Sequence, residues 1–393
     1  MTDPIRVVHL TTTDMSLDWL LRPQLEAFTA AGYEVIGASA PGDHVDALRA
    51  SGIRHEAVQH LTRANQPGRD LLAALELARL FRRLRPDIVH THNPKPGILG
   101  RIVARLCRVP LVVNTQHGLY AQPHDRRLRR WAVYGSERLA AAFGHVELVQ
   151  NPEDVDTLVH TLHIPRRKVR LLGNGIDLVR FDPAAAAPSR DRVRAEWGVA
   201  PGELVVGAVG RLVAEKGFAE ILEACARLRE QGRPIRLVVV GPTDDDKADR
   251  LGDDELTARR TDGVVFTGRR DDMPDCYAAM DCFVTASWRE GFPRAAMEAA
   301  AMGLAIVATD IRGCRQVVHD GRNGLLVPLH DVDALTAALD RLVTDDDLRR
   351  RLGAAGPVAA AAEFDQRRVV ERTLDAYRLL GDRRATTVRR RRG

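Results

Sequence analysis

Two glutamates flank a tight turn in the stretch REGFPRAAME, which spans residues 289–298. Glu290 and Glu298 stand eight positions apart, with Gly-Phe-Pro between them. A carboxylate accepts hydrogen bonds from hydroxyl groups, so two carboxylates can hold two separate hydroxyl pairs of one ligand. For a bare spacing of this kind, the alternative is that both glutamates are solvated on the surface.

The residues around the two glutamates indicate an anion site. The apolar run CFVTAS predicts a buried strand that ends just before the turn, and Pro293 occupies a position typical of the start of a helix. A helix through RAAMEAAAM would aim the backbone N–H groups of Arg294 and Ala295 at the carboxyl end of that strand. Such a helix start favours an anion such as phosphate.

A second stretch, AVGRLVAEKG, combines a glycine at the end of a predicted strand with two cationic residues. The predicted strand ends at Gly210, where the absence of a side chain lets a ligand approach the backbone. Arg211 and Lys216 follow, and Lys216 is one of only four lysines in the chain. Two cations can neutralise a diphosphate that leaves during a reaction. The alternative is a surface ion pair between Lys216 and Glu215 or Glu220. The stretch is neither a P-loop nor G-x-G-x-x-G.

These stretches belong to two successive series of short apolar runs and helix-length amphipathic segments. The pattern predicts an α/β protein with parallel sheets wrapped by helices, and 393 residues are too many for one core. Ligands of such sheets bind at the carboxyl ends of the strands. The segment PAAAAPSRD is interpreted as a linker. We predict a Rossmann-like N-terminal domain at 1–175, a Rossmann-like C-terminal domain at 176–365, a helix at 366–382 packing on the N-terminal domain, and a disordered basic tail at 383–393.

Composition narrows the class of protein. The five cysteines never form a C-x-x-C pair, which argues against a zinc ribbon or a disulfide framework and fits a reducing compartment. The start MTDPIRVVHLTTTD reads as a first strand and not as a signal peptide. No apolar stretch in the sequence reaches the roughly 18 to 20 residues of a spanning helix, so we expect any membrane contact to be peripheral.

Four stretches together resemble a known family. In chain order they are NGIDLVRFDP, GRLVAEKG, REGFPRAAMEAAAMG and IVATDIRGCRQVVHDGRNGLLVP. They are similar to the nucleotide-sugar half of glycosyltransferase family 4, and the resemblance extends over essentially the whole chain. That family has the two-lobed GT-B fold, and its members are retaining enzymes. The resemblance therefore implies two Rossmann-like domains with parallel sheets facing a central cleft, and a hexosyl- or N-acetylhexosaminyltransferase.

The resemblance also implies roles for matching residues in the second half. Arg211 and Lys216 would contact the donor diphosphate, Glu290 the hydroxyls of the transferred sugar, and Glu298 the ribose. Backbone groups near the sugar and the nucleobase would complete the donor site: Gly291, Phe292 and Pro293 beside the sugar, and Thr267, Gly268 and Arg269 beside the base.

Two motifs in the first half resemble acceptor-side features of the family. In NTQHGLY, the resemblance implies that His117 approaches the transferred sugar and the reaction centre, although a lone histidine is more often a structural hydrogen-bonding group. The run HTHNPKPGILGR is similar to bacterial members that extend lipid-linked surface glycans. Lys95 in this run either faces an anionic acceptor or is solvated.

The loop after the first strand departs from the family pattern. Many relatives have a Gly-Gly pair there, but this chain has TTTDMSLDW. Thr12, Thr13 and Ser16 can donate hydroxyl hydrogen bonds, and Asp14 could orient an acceptor hydroxyl.

The reaction implied is transfer of a sugar, with retention, from a nucleotide diphosphate sugar to an acceptor hydroxyl. A UDP-sugar is favoured as donor, and the acceptor would be a lipid-linked glycan or a natural-product aglycone. No cofactor and no metal are expected, because arginine, lysine and the helix start supply positive charge and no D-x-D-like loop stands out. The segment TDDDKAD is interpreted as an exposed turn.

Other functions remain open at this point. A nucleotide-sugar epimerase or hydrolase could use the same architecture, and product analysis with and without an acceptor separates these from a transferase. The arginine-rich tail and the segment HDRRLRRW could instead bind nucleic acid, although that reading leaves the cleft motifs unexplained and nucleic acid is not an expected partner. HDRRLRRW could also contact anionic lipids, or form a solvated helix face. The expected location is the cytoplasm, with peripheral contact at the inner face of the membrane.

Overall fold

The chain folds into two compact units. The computed structural model describes residues 4–92, 94–119, 121, 125–243 and 263–392, with side chains described through residue 381. The N-terminal unit comprises Met1–Gly173 and Arg367–Gly393, and the C-terminal unit comprises Asn174–Gln366. The predicted turn TDDDKAD lies, after its first residue, outside the described residues.

The N-terminal unit is built on a parallel sheet of seven described strands in the order β3-β2-β1-β4-β5-β6-β7. Apolar runs become the buried inner strands, as expected for a sheet covered on both faces. The short edge strands β3 and β7 carry polar residues and gave no apolar run in the sequence. The strands are β1 (Arg6–Thr13), β2 (Glu34–Ala40), β3 (Arg54–Ala57), β4 (Ile88–His92), β5 (Leu111–Gln116), β6 (Val146–Val149) and β7 (Val169–Leu171).

Helices cover both faces of this sheet. One face carries α4, which packs against both α3 and α5. The last helix of the chain packs on the other face, where Val369, Ala376 and Tyr377 join a core with Val7 and Ile88. The helices are α1 (Arg22–Ala30), α2 (Val45–Ala50), α3 (Pro67–Leu84), α4 (Lys95–Leu106), α5 (Arg127–Phe143) and α6 (Pro152–Asp156).

The C-terminal unit repeats the architecture with a parallel sheet of six described strands in the order β10-β9-β8-β11-β12-β13. Apolar cores lie on both faces of this sheet, and α-helices connect β8 to β9 and β11 to β12. The strands are β8 (Leu204–Val209), β9 (Ile235–Val240), β10 (Val264–Gly268), β11 (Cys282–Thr285), β12 (Ala305–Thr309) and β13 (Gly324–Val327). The helices, including the last one, are α7 (Pro183–Ala186), α8 (Arg190–Glu196), α9 (Phe218–Glu230), α10 (Met273–Ala279), α11 (Arg294–Ala301), α12 (Val332–Thr344), α13 (Asp346–Glu363) and α14 (Gln366–Arg392).

The architecture confirms the predicted fold class of two Rossmann-like α/β domains with parallel sheets. Two local predictions differ from the structure. The segment PAAAAPSRD is not a linker, because Asp182 caps α7 by accepting the N–H of Ala184 at 2.8 Å and the alanines favour a helix. Helical backbone of α14 also continues to Arg392, through the segment predicted to be a disordered tail, where arginine and alanine are good helix formers. Within the described part of the chain, no helix combines the length and the apolar character that crossing a membrane requires.

A buried charge cluster joins β5, β6, α4 and α5 in the N-terminal unit. Arg101 is fully buried and donates to Glu147 at 2.9 Å and to Glu137 at 2.6 Å. Asn114 and Gln116 donate to the same two carboxylates at 2.8 Å each. Burial raises the pKa of Glu147, while the Arg101 charge opposes this shift. Because a buried charge is costly without its partner, each member depends on the others.

We expect Arg101→Ala to destabilise the N-terminal unit by about 3–5 kcal/mol, because two buried carboxylates would lose their cation. Calorimetric unfolding measures the loss. Arg105→Ala, which removes an exposed arginine from the same helix, is the matched control and should change stability little. Equal unfolding temperatures for the two variants would contradict this account.

Candidate donor site

The candidate site lies at the switch point of the C-terminal sheet. The chain winds from β8 toward β9 and β10 on one side, and from β11 toward β12 and β13 on the other. The carboxyl ends of β8 and β11 are therefore the place where parallel sheets of this kind bind ligands. Gly210 follows β8 directly, and the loop of Glu290 follows β11.

An ion pair joins the loops after these two strands. The Lys216 ammonium donates to Oε1 of Glu290, across 74 positions of sequence. The Ser287 hydroxyl donates to the same carboxylate oxygen at 3.1 Å. Lys216 thus pairs with Glu290 and not with Glu215 or Glu220. The side chains of Lys216 and Glu290 are 21% and 17% exposed, so the pair is partly desolvated yet accessible to a ligand.

Helix α11 starts beside this ion pair. Pro293 precedes its first residue, as predicted, and the Pro293 carbonyl accepts the N–H of Met297 at 3.2 Å. The side chain of Pro293 itself makes no capping hydrogen bond. The N–H groups of the first turn, including those of Arg294 and Ala295, lie outside the helical ladder and give this end partial positive charge.

The second glutamate is held inside the unit. Glu298 is buried and accepts hydrogen bonds from Arg294 Nε at 3.0 Å and from the Tyr277 hydroxyl at 3.0 Å. Burial and the Glu298 carboxylate raise the pKa of Tyr277 well above its usual value, so the hydroxyl remains a donor. Glu290 and Glu298 therefore lie in different environments, the first half-buried in a loop and the second fixed in a helix.

The remaining predicted donor residues surround the same edge of the sheet. Gly268 ends β10 with a φ of 70°, and its carbonyl accepts the N–H of Gly241 at 3.0 Å. The side chain of Arg269 is exposed and pairs with Asp271 at 3.2 Å. The Thr267 hydroxyl donates to the Gly268 carbonyl at 2.9 Å.

The other predicted residues lie in the loops after β8 and β11. Arg211 is half-buried and directly follows Gly210. Phe292, next to Gly291, packs edge-on against Phe364, with the ring centroids 5.9 Å apart.

Residues that sequence reasoning missed hold the ion-pair loops in place. Gly217 has a φ of 69°, and a Cβ there would lie 2.1 Å from the Ala286 carbonyl oxygen. A Cβ on Gly313 would lie 2.5 Å from the Glu290 carbonyl oxygen. The Trp288 indole donates to Glu220 at 2.8 Å and ties the β11 loop to α9. In the sequence, the position of Gly217 directly after Lys216 could have indicated this tight packing of the loop.

In the N-terminal unit, His117 follows β5 and is half-buried. Its Nε2 lies 2.9 Å from Nδ1 of His92. Burial lowers the pKa of His117 to about 4, although a hydrogen bond with the Gln150 side chain acts in the opposite direction. His117 is thus a neutral imidazole near pH 7. His9 and His90 lie next to His92, and the alternating histidines of VHTH were a signal that sequence reasoning did not use.

The other predicted N-terminal residues have internal partners. Lys95 is buried, forms an ion pair with Asp70 at 2.6 Å and also donates to the Ala64 carbonyl, so its ammonium does not face open solvent. Asp14 is buried and accepts the backbone N–H groups of Met15 and His44 at 2.9 and 2.8 Å.

The hydroxyls predicted in the first loop lie at the carboxyl end of β1. Thr13 and Ser16 hydrogen-bond to each other at 3.1 Å, and Thr12 is half-buried beside them. This loop continues into a π-helical turn at Ser16–Leu21.

Comparison with known proteins agrees with the fold and identifies the family. The model of the family described as Glycosyl transferases group 1 matches residues 189–358, and that of Glycosyltransferase Family 4 matches residues 24–180. A UDP-Gal:alpha-D-GlcNAc-diphosphoundecaprenol alpha-1,3-galactosyltransferase of Escherichia coli is 32% identical over 283 residues, which are 71% of this chain and 71% of that protein. The capsular polysaccharide biosynthesis glycosyltransferase CapM of Staphylococcus aureus is 24% identical over 95% of this chain and 96% of its own length.

Solved structures share the whole architecture. HepE of Anabaena, solved in complex with UDP and glucose, aligns with a TM-score of 0.80 and 18% identity, over 95% of this chain and 99% of HepE. The fold and the matched domains define a glycosyltransferase of the GT-B fold. The chain belongs to glycosyltransferase family 4, and its relatives connect it with bacterial glycan biosynthesis.

We expect Gly217→Ala to lower kcat/KM for the donor by about tenfold or more, because a side chain would push the Lys216 loop away from Ala286 and misplacement of this size is costly. Gly232→Ala is the matched control, since Gly232 also has a left-handed φ of 80° but has open space around it. Gly232→Ala should lose only the stability that the left-handed backbone costs, whereas Gly217→Ala should lose more because of its clash with Ala286. An equal loss of activity in both would show that backbone strain, and not the Lys216 position, is responsible.

Proposed function

We propose that this glycosyltransferase moves a hexosyl or N-acetylhexosaminyl group from a UDP-sugar to the hydroxyl of a lipid-linked acceptor, with retention at the anomeric carbon. The observation that carries the proposal is the Lys216–Glu290 ion pair, which forms in the loops that precede the start of α11 and of α9 in the chain. This arrangement supplies positive charge for a diphosphate and a carboxylate for sugar hydroxyls at one point of the sheet.

Each group has a role in this mechanism. Arg211, Lys216 and the N–H groups at the start of α11 stabilise the charge that develops on the departing diphosphate, where fixed positive charge contributes most. Glu290, held by Lys216 and Ser287, accepts hydrogen bonds from the sugar hydroxyls, and Glu298 accepts from the ribose. Attack occurs on the same face as the leaving phosphate, and Glu290 is not a nucleophile. Since cationic groups already neutralise the diphosphate, no metal or other cofactor is required.

Two similar proteins support the proposed donor and acceptor. HepE was solved with UDP and glucose, which supports a uridine nucleotide. The E. coli relative is named as a galactosyltransferase that acts on a diphosphoundecaprenol-linked sugar, which supports a hexose donor and a lipid-linked acceptor.

We expect Lys216→Ala and Glu290→Ala each to lower kcat roughly 100-fold or more, because each removes a preorganised charge at the reacting diphosphate or sugar. Donor identity is first found by thermal shift with UDP-glucose, UDP-galactose, UDP-N-acetylglucosamine and GDP-mannose. Arg227→Ala, which removes an ion-paired arginine on the outer face of α9, is the matched control. Normal turnover in either site variant would contradict the proposal.

The product decides the reaction class. NMR of the product made with a lipid-diphosphate-linked sugar as acceptor reports the anomeric configuration, which we expect to match that of the donor. An inverted product would contradict retention. Release of free sugar without any transfer would contradict the transferase assignment for these substrates.

The start of α5 presents an exposed surface that could bind a membrane. Near the start of α5, Leu128 and Trp131 are 79% and 75% exposed, and Arg126, Arg127 and Arg129 on the same segment are exposed as well. Apolar side chains interspersed with arginines fit an anionic lipid surface, where the arginines contact headgroups and the indole lies at the interface. We propose that this segment, the α5 start, docks the enzyme on anionic lipid.

We expect the chain to sediment with vesicles that contain phosphatidylglycerol and to detach as salt rises, because the attraction is largely electrostatic. A Leu128→Ser/Trp131→Ser variant should bind these vesicles at least several-fold more weakly. Leu106→Ser is the control, since Leu106 is 71% exposed but ends the neighbouring helix α4. Equal binding by both variants would contradict docking through the α5 start.

A further inference from the structure

Three elements of the C-terminal unit meet at one carboxylate, that of Glu220. This residue lies in the first turn of α9, and its side chain is 15% exposed. Its Oε1 accepts the indole N–H of Trp288 at 2.8 Å and lies 3.2 Å from Nδ1 of His330. Trp288 belongs to the loop that follows β11, and His330 belongs to the loop that follows β13. The indole and imidazole rings pack edge to face, with centroids 4.9 Å apart.

Trp288 makes a second hydrogen bond between loops through its backbone. Its N–H donates to the carbonyl of Glu215 at 2.8 Å. Glu215 directly precedes Lys216, and Trp288 stands two positions before Glu290. The two hydrogen bonds of Trp288 therefore connect the loop of Glu290 with the loop of Lys216 and with the helix that follows it, close in sequence to both partners of the ion pair.

The loop after β11 is also held from the side of β12. The carbonyl of Ser287 accepts the hydroxyl of Thr309 on β12 at 2.6 Å, and the hydroxyl of Ser287 donates to Glu290 at 3.1 Å. Thr309 thus fixes the loop toward β12, while Trp288 fixes it toward α9. Removing the indole N–H would release the loop on the α9 side and leave the bonds to β12 in place.

We propose that Trp288 is a positioning residue for the Lys216–Glu290 ion pair. It acts through the Glu220 carboxylate and the Glu215 carbonyl, which hold the two loops in one arrangement. Loops are more mobile than the strands that they follow, and charged groups stabilise a reaction best when they are already in place. The effect on catalysis rests on the proposed role of the ion pair in the donor site, whereas the coupling between Trp288 and the pair does not.

Hydrogen exchange at the indole tests the coupling without any donor. The full-length chain has four tryptophans, and NMR of protein labelled with nitrogen-15 at tryptophan assigns Trp288 by the signal that Trp288→Phe lacks. Exchange with water requires the indole hydrogen bond to open, so its rate reports the freedom of the loop. We expect Glu290→Gln, which removes the negative charge opposite Lys216, to speed this exchange several-fold. Arg227→Ala is the control and should leave the rate unchanged; an unchanged rate in Glu290→Gln would overturn the proposal.

Trp288→Phe tests the effect on the reaction, because it keeps an aromatic ring and removes the N–H. With the UDP-sugar that gives turnover, we expect kcat to fall by about tenfold or more with little change in KM, since displaced charges stabilise the transition state less well. Trp197→Phe is the matched control. Trp197 is buried in the same unit, and its indole nitrogen has no hydrogen-bond partner among the residues that the structure describes. An unchanged kcat in Trp288→Phe would contradict the proposal.

Two substitutions of Glu220 test the same hydrogen bond from its other end. Glu220→Gln keeps an oxygen that can accept the indole N–H, so it should retain most of the activity. Glu220→Ala removes the acceptor and should lose as much kcat as Trp288→Phe, and the double variant should lose no more than either single variant. These variants keep the indole in place, so they test the bond even where Trp288→Phe folds poorly. Equal losses in Gln and Ala, or losses that add in the double variant, would overturn the role of this bond.

Calorimetric unfolding separates a positioning role from a purely structural one. If Trp288 served only stability, Trp288→Phe would lower the unfolding temperature but leave kcat per folded molecule unchanged, which would overturn the proposal. If indole exchange shows the coupling but no UDP-sugar is turned over, the positioning of the ion pair stands and the proposed function fails.

Discussion

Parallel strands constrain where the proposed donor can bind, because the carboxyl ends of β8 and β11 meet at the one point where the winding of the C-terminal sheet reverses. The ion pair between Lys216 and Glu290 forms at that point. Neither partner is near the other in sequence, and each stands on a loop that the strands deliver to the same edge. Close backbone contacts at Gly217 and Gly313 leave these loops little freedom, so the charges are held before any ligand arrives.

The pairing also changes how the two glutamates are understood. Two carboxylates that point at a ligand would repel its diphosphate, but Lys216 neutralises Glu290 and Arg294 neutralises Glu298. The net result is an edge with positive character, supplied by Arg211 and the start of α11, that still offers oxygen acceptors for hydroxyls. In the proposed donor site, this edge would thus meet the opposite needs of the phosphate and the sugar.

The N-terminal sheet shows two solutions for buried polar groups on opposite faces. Under α4 and α5, Arg101 and two glutamates form a charged cluster in which each ion depends on its partners. Under α14, burial keeps the histidines neutral, and hydrogen bonds replace charge pairing. The charged cluster relies on ion pairing inside the protein, whereas the neutral rings rely on hydrogen bonds alone.

The sequence by itself determined the α/β class, the inner strands, the start of α11 at Arg294 and the family, because these depend on local periodicity, on proline and glycine positions, and on contiguous motifs. The sequence did not predict the edge strands β3 and β7, because a strand at the edge of a sheet does not require apolar residues. The sequence did not predict the short helix α7, because the alanine- and proline-rich composition is typical of a linker and the capping by Asp182 was not recognised. Only the tertiary structure decided that Lys216 pairs with Glu290 and that Lys95 pairs with Asp70. It also decided that His9 on β1 and His90 on β4 both contact the hydroxyl of Tyr377. These contacts link residues tens to hundreds of positions apart, and their distances follow from strand order and register, which local sequence does not encode.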